Sequence, residues 1–295
     1  MKKLVQNLGL IALATLAAFA ITAVGQGLWG VMAMANMALT PAIPWCAALM
    51  PAVLGVMVLF LAGRLGPKAG AETRRALIPS APVSARAWGW SLAAGGAGVI
   101  AAAALWTVLA SLVRMPPNLL PDLTGVPVWS QLAMLLVAIA AAPVTEEIAF
   151  RGYAMGLVRR RFGPVAALLI VSAIFAAAHL TQGLYAPKLV VYFLAGLLFG
   201  VIALRTGSLL PAMVVHSFGD LTFFTLVWSH DAGRKLVTEG GADAWFFANL
   251  ALIAVFTPLC LLAFRQLVRA TGGASGAQSS KTRRPTRTFP ATLAI

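Results

Sequence analysis

Residues 129–158 read WSQLAMLLVAIAAAPVTEEIAFRGYAMGLV, and this stretch decides the class of fold. It exceeds the ~20 apolar residues that cross a hydrocarbon core, yet it holds Glu146, Glu147 and Arg151. A charge at the centre of a membrane helix costs at least about 2.5 kcal/mol, so such residues mark functional sites by default. Glu147 and Arg151 stand at i and i+4 on one helix face, close enough to pair. Glu146 points about 100° away from them. Glu147 with Arg151 therefore reads as a structural clasp, and Glu146 as the better candidate for a reactive carboxylate. Pro143, just ahead of the acids, removes a backbone hydrogen bond and opens room beside them.

The rest of the chain has the same character. Its 295 residues are 60% hydrophobic and 10% charged, with a mean hydropathy of +0.89, whereas soluble domains run to roughly 25% charged. Apolar runs recur at about 8–36, 44–63, 88–113, 129–158, 164–182, 188–205, 208–228 and 244–266. They predict an all-α polytopic membrane protein with about eight transmembrane helices and no separate soluble domain.

The net charge of +14 would suggest nucleic acid in a soluble protein. Here the placement of the basic residues accounts for it. With eight spans both termini share one side, and 17 of the 22 Lys and Arg fall there, among them Lys2, Lys3, Arg64, Arg74, Arg75, Arg159, Arg160 and Arg161. The positive-inside rule then puts both termini in the cytoplasm. Lys2 and Lys3 before an apolar stretch leave a cleaved signal as the alternative for the first segment. The run continues to Met37, beyond the 7–15 residues of a signal core, and reads as a span.

The expected organisation is transmembrane helices 1–3 over residues 1–124 with a basic cytoplasmic loop at 64–87, a core at 125–230, a last helix within 231–269, and a disordered basic tail at 270–295. The loop at 64–87 reads as a topology determinant, and the tail's basic residues as neighbours of anionic lipid headgroups. Cys46 and Cys260 are too few for a disulfide framework and read as packing residues. The pairs Gly152/Gly156 and Gly196/Gly200 read as helix-packing signals, and His230 beside Asp231 as a solvated outer-loop group.

Three more ionisable residues lie within spans. Phe175 and His179 stand at i and i+4 on span five, His216 and Asp220 at i and i+4 on span seven. Counted from the basic turn at Arg160–Gly163 at 1.5 Å per residue, Glu146 lies about 21 Å up one helix and His179 about 24 Å up the next. Counted from Gly207, His216 and Asp220 lie roughly 14 and 20 Å up. Acid and imidazole groups from three helices thus reach a common layer.

Glu146-Glu147-x-x-x-Arg151, Phe175-x-x-x-His179 and His216-x-x-x-Asp220 resemble the three signature motifs of the CPBP family. This family comprises the CAAX proteases and bacteriocin-processing enzymes, also called type II CAAX prenyl endopeptidases or lysostaphin-resistance-protein-A-like proteins. The resemblance covers about residues 125–230 and implies an eight-helix membrane endopeptidase whose active site opens toward the cytoplasm. It implies that Glu146 activates a water held with His179, and that His216 and residue 220 stabilise the oxyanion. Asparagine is common in the family at the position of Asp220, and aspartate also occurs. An ionised Asp220 cannot donate to an oxyanion, so it is protonated, orients His216, or serves a metal. Members are often named metalloproteases, and Glu146, His179 and His216 would make a two-His, one-carboxylate set for Zn2+. A metal-free glutamate mechanism uses the same residues and is favoured by the lack of a helical H-E-x-x-H motif.

The expected partners are membrane lipid and a membrane-associated peptide or protein substrate, with no nucleic acid, in a bacterial inner membrane. Two other functions use the same residues. One is a non-catalytic, peptide-binding protein of bacteriocin immunity. The other is a transporter with a proton relay through Glu146, His179 and Asp220.

Overall fold

A computed structural model describes residues 1–115, 122–182, 184–228 and 234–279 of the chain, without the side chains of 181–182 and 273–279. His230, Asp231 and the tail beyond 279 lie outside the described residues. Helices α1 (Lys2–Leu39), α2 (Trp45–Leu61), α3 (Ala71–Leu77) and α4 (Ala85–Leu112) precede the core. The core comprises α5 (Val128–Glu146), a π-helical segment (Glu147–Ala154), α6 (Met155–Ala178), a 3-10 turn (His179–Gln182), α7 (Ala186–Thr206), α8 (Leu210–Thr222) and a second π-helical segment (Phe223–Val227). A short α9 (Val237–Gly240) and a long α10 (Ala244–Ser279) follow, the latter reaching into the stretch expected as tail.

Among the described residues, six helices are long and apolar enough to cross a membrane, and α2 is a shorter apolar helix. The protein is a multi-pass membrane protein. One of the six, Val128–Ala178, is 51 residues long and contains two of the expected spans. Inside it Gly163 has φ 78° and ψ 173°, a conformation that glycine reaches without a Cβ penalty, and Pro164 follows with no N–H to continue the ladder. The chain reverses there. Phe150 and Phe175 would be about 37 Å apart on a straight helix, yet their ring centroids are 5.1 Å apart.

The loop at 64–87 is folded beyond what a topology signal requires. Arg74 donates from Nε to Phe60 O at 2.9 Å and from Nη2 to Pro67 O at 3.1 Å, and Arg75 donates to Gly63 O at 3.2 Å, so two cations satisfy carbonyls around the end of α2. Further on, Ala81 N–H donates to Gly207 O at 2.9 Å and Leu209 N–H to Pro79 O at 3.2 Å. This strap ties the α7–α8 turn in place, and α8 carries His216 and Asp220. Ser84 then caps α4, accepting from Ala87 N–H at 3.2 Å.

The buried core lies in the middle of the bundle. Ala14 and Ala18 of α1 pack with Ala149, Phe150, Ala154, Val158, Val171 and Phe175 of the reversed pair. Ile148, Phe199, Ile202 and Val215 form a second cluster with Val99 of α4. Outward faces carry exposed Leu, Val, Phe and Trp on α1, α2 and α10, as a lipid-facing surface requires.

Candidate functional site

The helix widens to π geometry directly after Glu146, and α8 does so at Phe223, three residues after Asp220. Single π turns occur often where a helix re-aims functional side chains. Pro143 lies within the preceding turn.

The clasp expected between Glu147 and Arg151 is present and fully buried. Arg151 Nη1 donates to Glu147 Oε1 at 2.9 Å, with the two side chains 1% and 0% exposed. Arg151 also donates from Nη2 to Gly196 O at 3.2 Å. Its guanidinium carbon lies 4.4 Å from the Phe175 ring centroid and 5.3 Å from that of Phe199, a cation–π arrangement out of water. Gly196 also lets α7 lie close against α6, since a Cβ there would sit 3.0 Å from Ser172 Cα.

Glu147 has a second partner that its spacing with Arg151 did not suggest. His216 Nδ1 donates to Glu147 Oε1 at 2.9 Å, so Glu147, rather than Asp220, orients the His216 ring. With Nδ1 holding a proton, Nε2 of His216 faces two carboxylates, Glu146 Oε2 at 3.7 Å and Asp220 Oδ1 at 3.6 Å. Both separations exceed a direct hydrogen bond. The His216 ring stacks on Phe199, centroids 4.3 Å apart at 18°.

His179 approaches from the other arm of the reversed pair. Its Nδ1 donates to Phe175 O at 2.9 Å, which leaves Nε2 as the ring's acceptor. The ring stacks on Tyr192 with centroids 3.7 Å apart and meets the edge of Phe175 at 5.0 Å. Phe175 and Phe199 thereby serve two purposes, holding the imidazoles and covering Arg151.

Glu146, His179, His216 and Asp220 all line one interior cavity of about 430 Å³, while Glu147 and Arg151 stand behind it. The remaining wall is mainly apolar and aromatic, with Trp29, Tyr192, Phe223, Phe224 and Trp228 among its members. Tyr192 and Gln26 went unnoticed in the sequence. The available signals were thin: Tyr192 is one of three tyrosines in the chain and Gln26 one of few polar residues in α1.

Among the described residues, no three His, Cys, Asp or Glu side chains are disposed to hold a metal ion. As arranged, Glu146, His179 and His216 do not fit a zinc ion.

Together these features define an apolar, membrane-type helical bundle with acid and imidazole groups on one cavity. The family model described as type II CAAX prenyl endopeptidase Rce1-like matches residues 128–222, a span containing all six sequence-selected ionisable residues. The chain thus carries a domain similar to type II CAAX prenyl endopeptidases. No curated protein and no solved structure matches the chain.

Proposed function

We propose that the protein is an intramembrane endopeptidase that hydrolyses a peptide bond of a membrane-associated or lipid-anchored protein or peptide in a bacterial inner membrane. The observation that carries this reading is the meeting of Glu146 Oε2 and His216 Nε2 across 3.7 Å in the cavity that His179 and Asp220 also line. Both groups open onto the same space, where a small polar reactant meets them together.

In the proposed reaction Glu146 takes a proton from a water whose other hydrogen bond goes to Nε2 of His179, and the hydroxide attacks the scissile carbonyl. The oxygen of the tetrahedral intermediate gains the negative charge. His216 stabilises it by donating from Nε2 in the doubly protonated form of the ring, with Nδ1–H held by Glu147 and Asp220 beside Nε2. Asp220 is thus the counter-charge of the donor and need not donate to the oxyanion itself. Collapse of the intermediate breaks the C–N bond, and the proton on Glu146 passes to the leaving amine. The aromatic wall suits a substrate that arrives from the bilayer with an apolar segment.

The test compares the membrane proteome of the wild type with that of Glu146→Gln. The mutant should accumulate an uncleaved membrane polypeptide, and the purified wild type should cut it at least about 1000-fold faster than the mutant, as loss of a catalytic base implies. Unchanged cleavage by a folded, inserted Glu146→Gln protein sinks the reading. Intact protection against a bacteriocin by that mutant would instead favour peptide sequestration.

A further inference from the structure

The first helix supplies a polar group to the cavity although it lies outside the family match. Gln26 Nε2 donates to Glu146 Oε1 at 2.5 Å, across 120 positions of sequence. Thr22 and Trp29, at i−4 and i+3 from Gln26, line the same wall. An amide at membrane depth needs hydrogen-bond partners that lipid cannot give, and Leu at this place would be less costly. Gln26 is on the exposed flank of α1, so Glu146 is what holds it to the cavity side.

The backbone beside it is shaped for this contact. Gly25 is buried, and a Cβ there would run into the Thr145 side chain and lie 3.3 Å from Met57 Cε. The missing side chain lets α1 close directly over the residue preceding Glu146. A second tie fixes the other end, where Arg161 Nε donates to Asn7 Oδ1 at 2.9 Å. Asn7 to Gln26 spans about 28 Å of α1 and Arg161 to Glu146 about 22 Å of the facing helix. The two hydrogen bonds, with Ala14 and Ala18 packed between them, fix the register of α1 on α5 and α6.

We propose that Gln26 is a positioning residue of the active site: by engaging Oε1 of Glu146 it turns Oε2 toward His216 Nε2 and the cavity. Being neutral, the amide fixes the carboxylate without cancelling its charge, as lysine or arginine would. The inference rests on Glu146 as the general base.

The probe is the uncleaved polypeptide that accumulates with Glu146→Gln. Gln26→Leu should lower kcat about 10- to 100-fold, the scale of a misplaced catalytic group. KM should stay within about twofold and thermal unfolding should not change, since the contact acts on the base and not on substrate binding. Gln26→Asn should recover part of the loss. Wild-type kcat in Gln26→Leu, with Glu146→Gln inactive, overturns the positioning role and leaves the base intact. Full activity of Glu146→Gln overturns the base itself. Independently of any substrate, Gln26→Cys with Glu146→Cys should be joined by a short bifunctional thiol cross-linker in the folded protein, since the two side chains meet at their tips, and failure to do so overturns the contact.

Discussion

Two ion pairs in this molecule occupy opposite environments. Glu147 and Arg151 are 0% and 1% exposed at the side chain and meet inside the bundle. Arg114 and Glu239 are 68% and 45% exposed and join the loop after α4 to α9. Burial gives each inner charge a large desolvation cost that its neighbours must offset, so the inner pair comes with His216, Gly196 O and two aromatic rings. The outer pair keeps its water and needs no such surroundings. Exposed pairs can be lost cheaply, whereas a buried pair commits everything packed around it.

Removing one inner partner should have the largest effect. Arg151→Leu leaves Glu147 buried with only the His216 ring as partner and should destabilise the protein by about 3–5 kcal/mol, read as a lower midpoint of thermal unfolding in detergent with loss of cleavage. A variant as stable as the wild type would show that Glu147 is satisfied without Arg151. Next in size, Gly25→Leu forces a side chain into Thr145 and should cost about 1–3 kcal/mol, the usual penalty of overpacking. Its cleavage should fall further than its stability, because Gln26 moves with it. Smallest, Arg114→Ala should leave both the melting midpoint and cleavage unchanged within error, and a clear drop in either would show that α9 is held by that bridge.

The outer pair also sets a direction with pH. The backbone N–H of Leu236, then Arg114, hold Glu239 below the ordinary glutamate range. A depressed folded value means that its contribution is present at neutral pH and is lost as pH falls through that depressed value. Any change in the mobility of residues 237–240, followed by hydrogen exchange, should therefore begin below the ordinary carboxylate range, and in Arg114→Ala it should move to higher pH without vanishing, because the Leu236 N–H bond remains.

Composition made the bundle legible, because apolar runs of membrane length leave few alternatives. The reversal at Gly163 was legible too, from the basic turn Arg159–Arg161 followed by Gly-Pro. The shared depth of Glu146, His179, His216 and Asp220 followed from helix rise alone. Rotation about the helix axes could not be read the same way. A helix that is apolar nearly all round gives no face to orient by, so the contacts of Gln26 with Glu146 and Glu147 with His216 had no sequence signal. The π segments shift that rotation within a helix and are equally invisible to a 3.6-residue count. The strap at Pro79–Ala81 consists of backbone bonds, which composition does not report.

The distance in sequence between Gln26 and Glu146 also governs when the protein can become reactive during its synthesis. At roughly 5–20 residues per second, the 120 intervening positions take about 6–24 s to translate, and His216 comes later still. Until then the first helix lacks the carboxylate that its amide meets in the folded protein, and the nascent chain lacks the groups to which the proposed reaction assigns the base and the oxyanion donor. If the proposed function holds, the chain is inert until α8 has been made, and its first competent state must await the arrival of His216 in the bundle.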